Sequence, residues 1–198
     1  MKRHTIWLVT LTVLIGLSAA LYLLLPPLNK ASEKNAGIQP RVVADYLHAV
    51  IEANRTIYAT QVVEKMQEKG IVEAAEHWKQ LNALPLPAQF LIETGRFVVE
   101  TGVGIKYRLM SLWPIYVWNA PSTEFERKGL EAVSQDPDSP YYGFVQIGSE
   151  RYFQAIYADR AVAHSCVECH NTHMNSPKRG FKLGDVMGGI VVTIPVGG

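Results

Sequence analysis

Residues 6–25, IWLVTLTVLIGLSAALYLLL, form twenty consecutive positions without a charged side chain. A helix needs about 20 such residues to cross the hydrocarbon core of a bilayer, and there only a helix or a closed barrel satisfies its own backbone groups. Lys2, Arg3 and His4 precede the run, and Pro26 and Pro27 close it. The positive-inside rule then places the amino terminus in the cytoplasm and everything after Leu28 outside. We therefore expect a transmembrane anchor over residues 1–28. A cleaved signal peptide ending near Ser18 and Ala20 is the competing interpretation, but the apolar run continues to Leu25. Either way the remainder is exported, which in a bacterium means the periplasmic side of the inner membrane.

The exported part carries one charge pattern and one composition. Without Lys2 and Arg3 it holds 17 basic against 18 acidic residues, so nucleic acid is excluded as a partner, because phosphate binding needs clustered Lys and Arg. With 48% hydrophobic and 19% charged residues, the whole chain has the balance of a folded globular protein. Residues 29–40, polar and without periodicity, read as a linker to a single domain over 41–198.

Within that domain, apolar positions at three-to-four spacing from Leu47 through Tyr58 to Met66 predict a helix of nearly thirty residues ending at Gly70. Residues 71–83 carry a second, shorter amphipathic pattern, which the Leu84-Pro85-Leu86-Pro87 stretch breaks. A third helix is expected over 88–100, weakened by Gly95. Alternation over 103–109 then predicts a strand, and 111–121, with Trp113 and Trp118, an ordered loop. Ser122 is placed to cap a helix over 123–133. Residues 141–147 and 151–157 flank Gly148-Ser149-Glu150 as a hairpin, 175–184 is a polar loop, and 189–196 is a last β-branched strand. Helices first and an antiparallel sheet afterwards indicate α+β architecture.

Both cysteines of the chain lie in SCVECHNTH, residues 165–173. Cys-x-x-Cys-His is the attachment signature of c-type haem: two thiols three apart reach adjacent vinyl groups as thioethers, and the next imidazole coordinates iron. Cys166 and Cys169 would be the covalent links and His170 the axial ligand of one haem. Export supports this, since a free thiol pair outside the cell tends to oxidise. Structural zinc on Cys166, Cys169, His170 and His173 is the alternative, although the usual sites separate two ligand pairs by a dozen or more residues. A dithiol oxidoreductase would place the motif after a strand of a βαβ unit, and none is visible.

The stretches Ser111-Leu112-Trp113-Pro114, Asn119-Ala120-Pro121, Tyr152-Phe153, Tyr157-Ala158-Asp159, Cys166-Val167-Glu168-Cys169-His170-Asn171, Ser176-Pro177-Lys178 and Asp185-Val186-Met187-Gly188-Gly189 resemble the c-type-haem PAS-like domains of exported cytochromes and of bacterial receptor sensing domains. Arg55-Thr56-Ile57-Tyr58 on the long helix is similar too. The resemblance implies a PAS-like antiparallel sheet beside a long amino-terminal helix. Some relatives use a cysteine of that helix as the sixth iron ligand, which this chain lacks.

Tyr58, on the inward stripe of the long helix, and His48 are the candidates for the sixth position, against ordinary buried or solvated roles. His164 and His173 lie close to the motif, and Met66 and Met110 read as core. Trp113, Arg151 and Tyr152 are candidates for the haem pocket, while Lys106, Arg108, Lys178, Arg179 and Lys182 could meet propionates. No hydrolytic or transferase machinery is evident. The expected function is single-electron transfer by a membrane-anchored monohaem cytochrome with a redox partner protein. The alternative is a haem sensor of redox state or gas acting through a signalling partner. The carboxyl end at Gly198, with no output domain after it, favours the first.

Overall fold

The computed structural model describes residues 37–197. The expected anchor over 1–28 and most of the linker lie outside the described residues. Among those residues no helix is long and apolar enough to cross a membrane.

Pro40 opens helix α1, Pro40–Ile57, at a first-turn position where a missing amide costs nothing. The helix runs on without a break into a π-helical segment, Tyr58–Glu64, and then into α2, Lys65–Glu68. Gly70 follows in the left-handed conformation, φ 60°, as the predicted stop requires. Beyond it the expected amphipathic helix over 71–83 is replaced by shorter pieces. Strand β1, Ala74–Ala75, pairs in parallel with β2, Leu84–Pro85, around the one-turn helix α3, Trp78–Leu81. Asn82 takes φ 50° and ends α3, so the intervening chain folds back on itself instead of extending a helix. Pro87 then starts α4, Pro87–Glu100.

Gly95, expected to weaken α4, is needed there. A Cβ at this position would lie 2.8 Å from the Tyr107 carbonyl oxygen, so the glycine lets α4 sit directly on β3, Lys106–Met110. After the loop comes α5, Glu124–Gln135. Its cap is Thr123, one residue later than expected: Thr123 Oγ1 accepts from the Glu126 amide at 3.1 Å, and Glu126 Oε2 accepts from the Thr123 and Ser122 amides. This is a capping box, which satisfies the first free amides of the helix.

Strands β4, Tyr141–Ile147, and β5, Glu150–Arg160, form the predicted hairpin. Helix α6, His164–Thr172, carries the cysteine motif, and β6, Val186–Pro195, completes the sheet. The four long strands are antiparallel in the order β3-β6-β5-β4. One face packs on α1 through Ala44, Phe153, Ala155, Tyr157, Ile190 and Val192. The other packs on α5 through Leu130, Val133, Ile156 and Val191. The arrangement is the α+β class expected, with the long helix against an antiparallel sheet.

Candidate functional site

A third cluster gathers Ala59, Ala161, Ala163, Cys166, Phe181 and Met187. It holds α6 between the π segment and the loop before β6. Glu64 Oε1 accepts from the His164 amide at 2.6 Å, which caps the positive end of α6 with a carboxylate. Phe181 is fixed by Asn171, whose side chain accepts from its amide and donates to its carbonyl. Lys178 lies 3.4 Å from the centroid of the Trp113 ring and 4.8 Å from that of Phe181, a cation–π clamp that pins the polar loop over the back of α6.

The other side of α6 faces a cleft of about 530 Å³, within the usual range for small-molecule and cofactor sites. Cys166, Cys169 and His170 all line it. The opposite walls come from the start of α4 and from the end of β3 with its following loop, and include Leu86, Ile92, Leu109, Met110, Ile115 and Trp118. At its floor Gly188 allows β6 to approach β3, for a Cβ there would meet the Met110 carbonyl oxygen at 2.2 Å.

Within α6 the His170 Nδ1 lies 3.2 Å from the Cys166 carbonyl oxygen. Donation from Nδ1 to that carbonyl fixes the tautomer and leaves the Nε2 lone pair free, the arrangement that orients a metal-ligating histidine. Burial lowers the His170 imidazole and raises both cysteine thiols. The site therefore keeps a neutral imidazole and neutral thiols rather than a reactive thiolate.

A buried ion pair completes the wall. Arg55 and Asp159, each 5% exposed, line the cleft. Arg55 Nη2 donates to Asp159 Oδ2 at 3.3 Å, while Nη1 touches Oδ1 at 2.9 Å off the line of a hydrogen bond. Burial raises the Asp159 carboxyl, and Arg55 opposes that shift.

The family model described as Tll0287-like matches residues 33–195. The chain belongs to the Tll0287-like family. The crystal structure of the cyanobacterial haem protein Tll0287 is similar at 18% identity, with a TM-score of 0.49, over 79% of this chain and 96% of that one. No curated protein matches.

In this Tll0287-like domain, Met110 and His173 line the cleft, and Tyr58, His48, Trp113, Arg151 and Tyr152 stand away from it. The Tyr58 hydroxyl donates to the Pro85 carbonyl at 2.7 Å, its ring stacks on Phe90, and burial pushes its hydroxyl up to about 12; a phenolate is disfavoured there. His48 stacks on Tyr157 at 3.8 Å between centroids, in the packing of α1 on the sheet. Trp113 supports the back of α6, Arg151 covers the Phe144 ring, and Tyr152 lines a separate cavity on the sheet. Arg108 is committed to Glu126 at 2.8 Å. His173 does line the cleft, but its Nε2 meets Glu76 at 3.3 Å and its Nδ1 accepts from the Asn175 amide.

Arg55, Asp159 and Ser165 are cleft residues to which residue patterns gave no role, as are Glu76, His77 and Glu93. One signal was present for Asp159: a lone carboxylate closing the apolar run Ala155–Ala158 needs a buried partner.

Proposed function

We propose that the cleft binds one haem, joined through thioethers to Cys166 and Cys169 and ligated by Nε2 of His170, in a membrane-anchored domain that passes single electrons outside the inner membrane of a bacterium. The observation that carries this is the convergence of all three motif residues on one largely apolar cleft, with the His170 ring already turned by its Nδ1 contact. Cys166 and Cys169 would hold the haem as thioethers, each thiol giving its sulfur to one vinyl carbon and its hydrogen to the other. Haem supplies one-electron iron chemistry. The protein's part is to hold the imidazole in one tautomer, keep water from the ring with the α4 and β3 walls, and fix α6 through Glu64 and the Lys178 clamp. A redox partner protein would take or give the electron. The haem protein Tll0287 is consistent with this proposal only as a family relative.

Haem sensing is favoured by a different observation. Both sequence candidates for a sixth ligand, Tyr58 and His48, are engaged outside the cleft, so an exogenous ligand would compete at that position only with the cleft-lining Met110, Met187, His77 and His173. Zinc finds less support: among the described residues no three Cys, His, Asp or Glu side chains converge on a metal position.

Expression of the full chain in cells equipped for haem attachment tests the proposal. A Soret band that survives acid–acetone extraction, lost in the double variant Cys166→Ala/Cys169→Ala, is the expected result. Colourless protein of unmodified mass would refute it.

A further inference from the structure

Among the described residues, two buried side-chain atoms with neither a hydrogen-bond nor an ion-pair partner belong to residues lining this one cleft, Arg55 Nε and Ser165 Oγ, while Asp159 Oδ1 lies 2.9 Å from Arg55 Nη1. Leaving such groups unpaired is destabilising, and native structures keep few of them. Arg55 is also the only Arg or Lys among the described residues that line the cleft.

A propionate does not account for Arg55. In haem the vinyl groups and the propionates occupy opposite edges of the macrocycle, so a group beside the thioethers is remote from the carboxylates. Arg55 and Asp159 stand at the cysteine end, where both act electrostatically on the Cys166 thiol and the His170 imidazole. Asp159 has a second role there. It keeps the pair neutral, so that the cleft without a ligand does not hold a bare buried charge.

We propose that Arg55, clamped by Asp159 and joined by Ser165, is the positioning group for a small hydrogen-bond-accepting ligand, an anion or polar diatomic, taken up at the iron. The proposal rests on the haem assignment above and specifies what the cleft admits besides haem. An unpartnered guanidinium N–H and a hydroxyl supply two donors, one of them charge-assisted. Lysine is no substitute, because an ammonium lacks the planar fork that binds Asp159 and a ligand together.

The test uses the haem-loaded full chain in detergent, with cyanide as the probe of the ferric form and carbon monoxide of the ferrous form. The variants are Arg55→Lys and the charge-balanced Arg55→Leu/Asp159→Leu, which leaves neither ion bare. Cyanide should bind the unaltered protein, and both variants should bind it about tenfold or more weakly, the loss expected for a charge-assisted hydrogen bond. The C–O stretching frequency should rise in the variants as the donor is removed. Should the double variant fail to fold, Arg55→Lys decides the matter alone. Unchanged cyanide affinity and C–O frequency in Arg55→Lys would overturn the proposal, as would covalently loaded protein that ignores both probes. Protein without covalent haem would instead overturn the haem assignment.

Discussion

His48 and His170 are both held below the usual histidine range by burial, with different consequences. For His170 the neutral ring is what a metal ligand needs. For His48, lowered to about 4, the same effect is a stability relation, because burial outweighs the opposing Asp45 charge. The folded state binds this proton less readily than the unfolded chain does, so stability is complete above pH 6.5 and declines as pH falls toward 4. At pH 4.5 the loss is about 2 kcal/mol. His48→Phe, which retains the stack on Tyr157, should remove that much of the acid sensitivity, measured as urea midpoints at pH 7 and pH 4.5. At this scale the cysteine motif was legible because Cys-x-x-Cys-His lies within five consecutive residues. The pairing of Arg55 with Asp159 was not, since it spans 104 positions and no local pattern encodes it.

Among the elements, those with strong period or punctuation are readable from the residues alone. The long helix, α4, the hairpin and β6 all follow from repeated apolar spacing bounded by Gly or Pro. The stretch 71–83 misled because its apolar residues serve a β1–β2 pairing and a single turn of helix, and a short window cannot distinguish these. Gly95 misled for another reason: propensity counts backbone entropy, and the deciding fact is the Tyr107 carbonyl. Gly95→Ala therefore sets a helix-propensity gain of about 1 kcal/mol against a backbone clash of about 1–3 kcal/mol. We expect net destabilisation of about 1 kcal/mol, read from the urea midpoint. An increase in stability would show that α4 can move off β3.

For the whole molecule, sheet order was the part hidden from sequence. Strand β6 inserts between β3 and β5, a non-local choice that alternation does not specify. The exported, anchored disposition is testable directly. The full chain should remain with membranes after an alkaline carbonate wash, and a chain with residues 1–28 replaced by a cleavable signal should be recovered in the soluble periplasmic fraction with its haem band unchanged. Release of the full chain by carbonate would exclude the anchor. The continuous helix from Pro40 to Glu68 joins the two parts of the domain. Near its start Asp45 accepts from the Tyr142 and Tyr157 hydroxyls; further along, Arg55 reaches Asp159 and Glu64 reaches His164. In an unbroken α-helix, positions nine apart are about two and a half turns apart and point in opposite directions. The π segment between them absorbs residues without advancing the rotation at the α-helical rate, which lets one rod turn Arg55 toward the end of β5 and Glu64 toward the start of α6 on the same side. Straightening 58–64 into plain α-helix at unchanged length would turn the two halves out of phase, so that the rod could grip the carboxylate or the motif helix but not both.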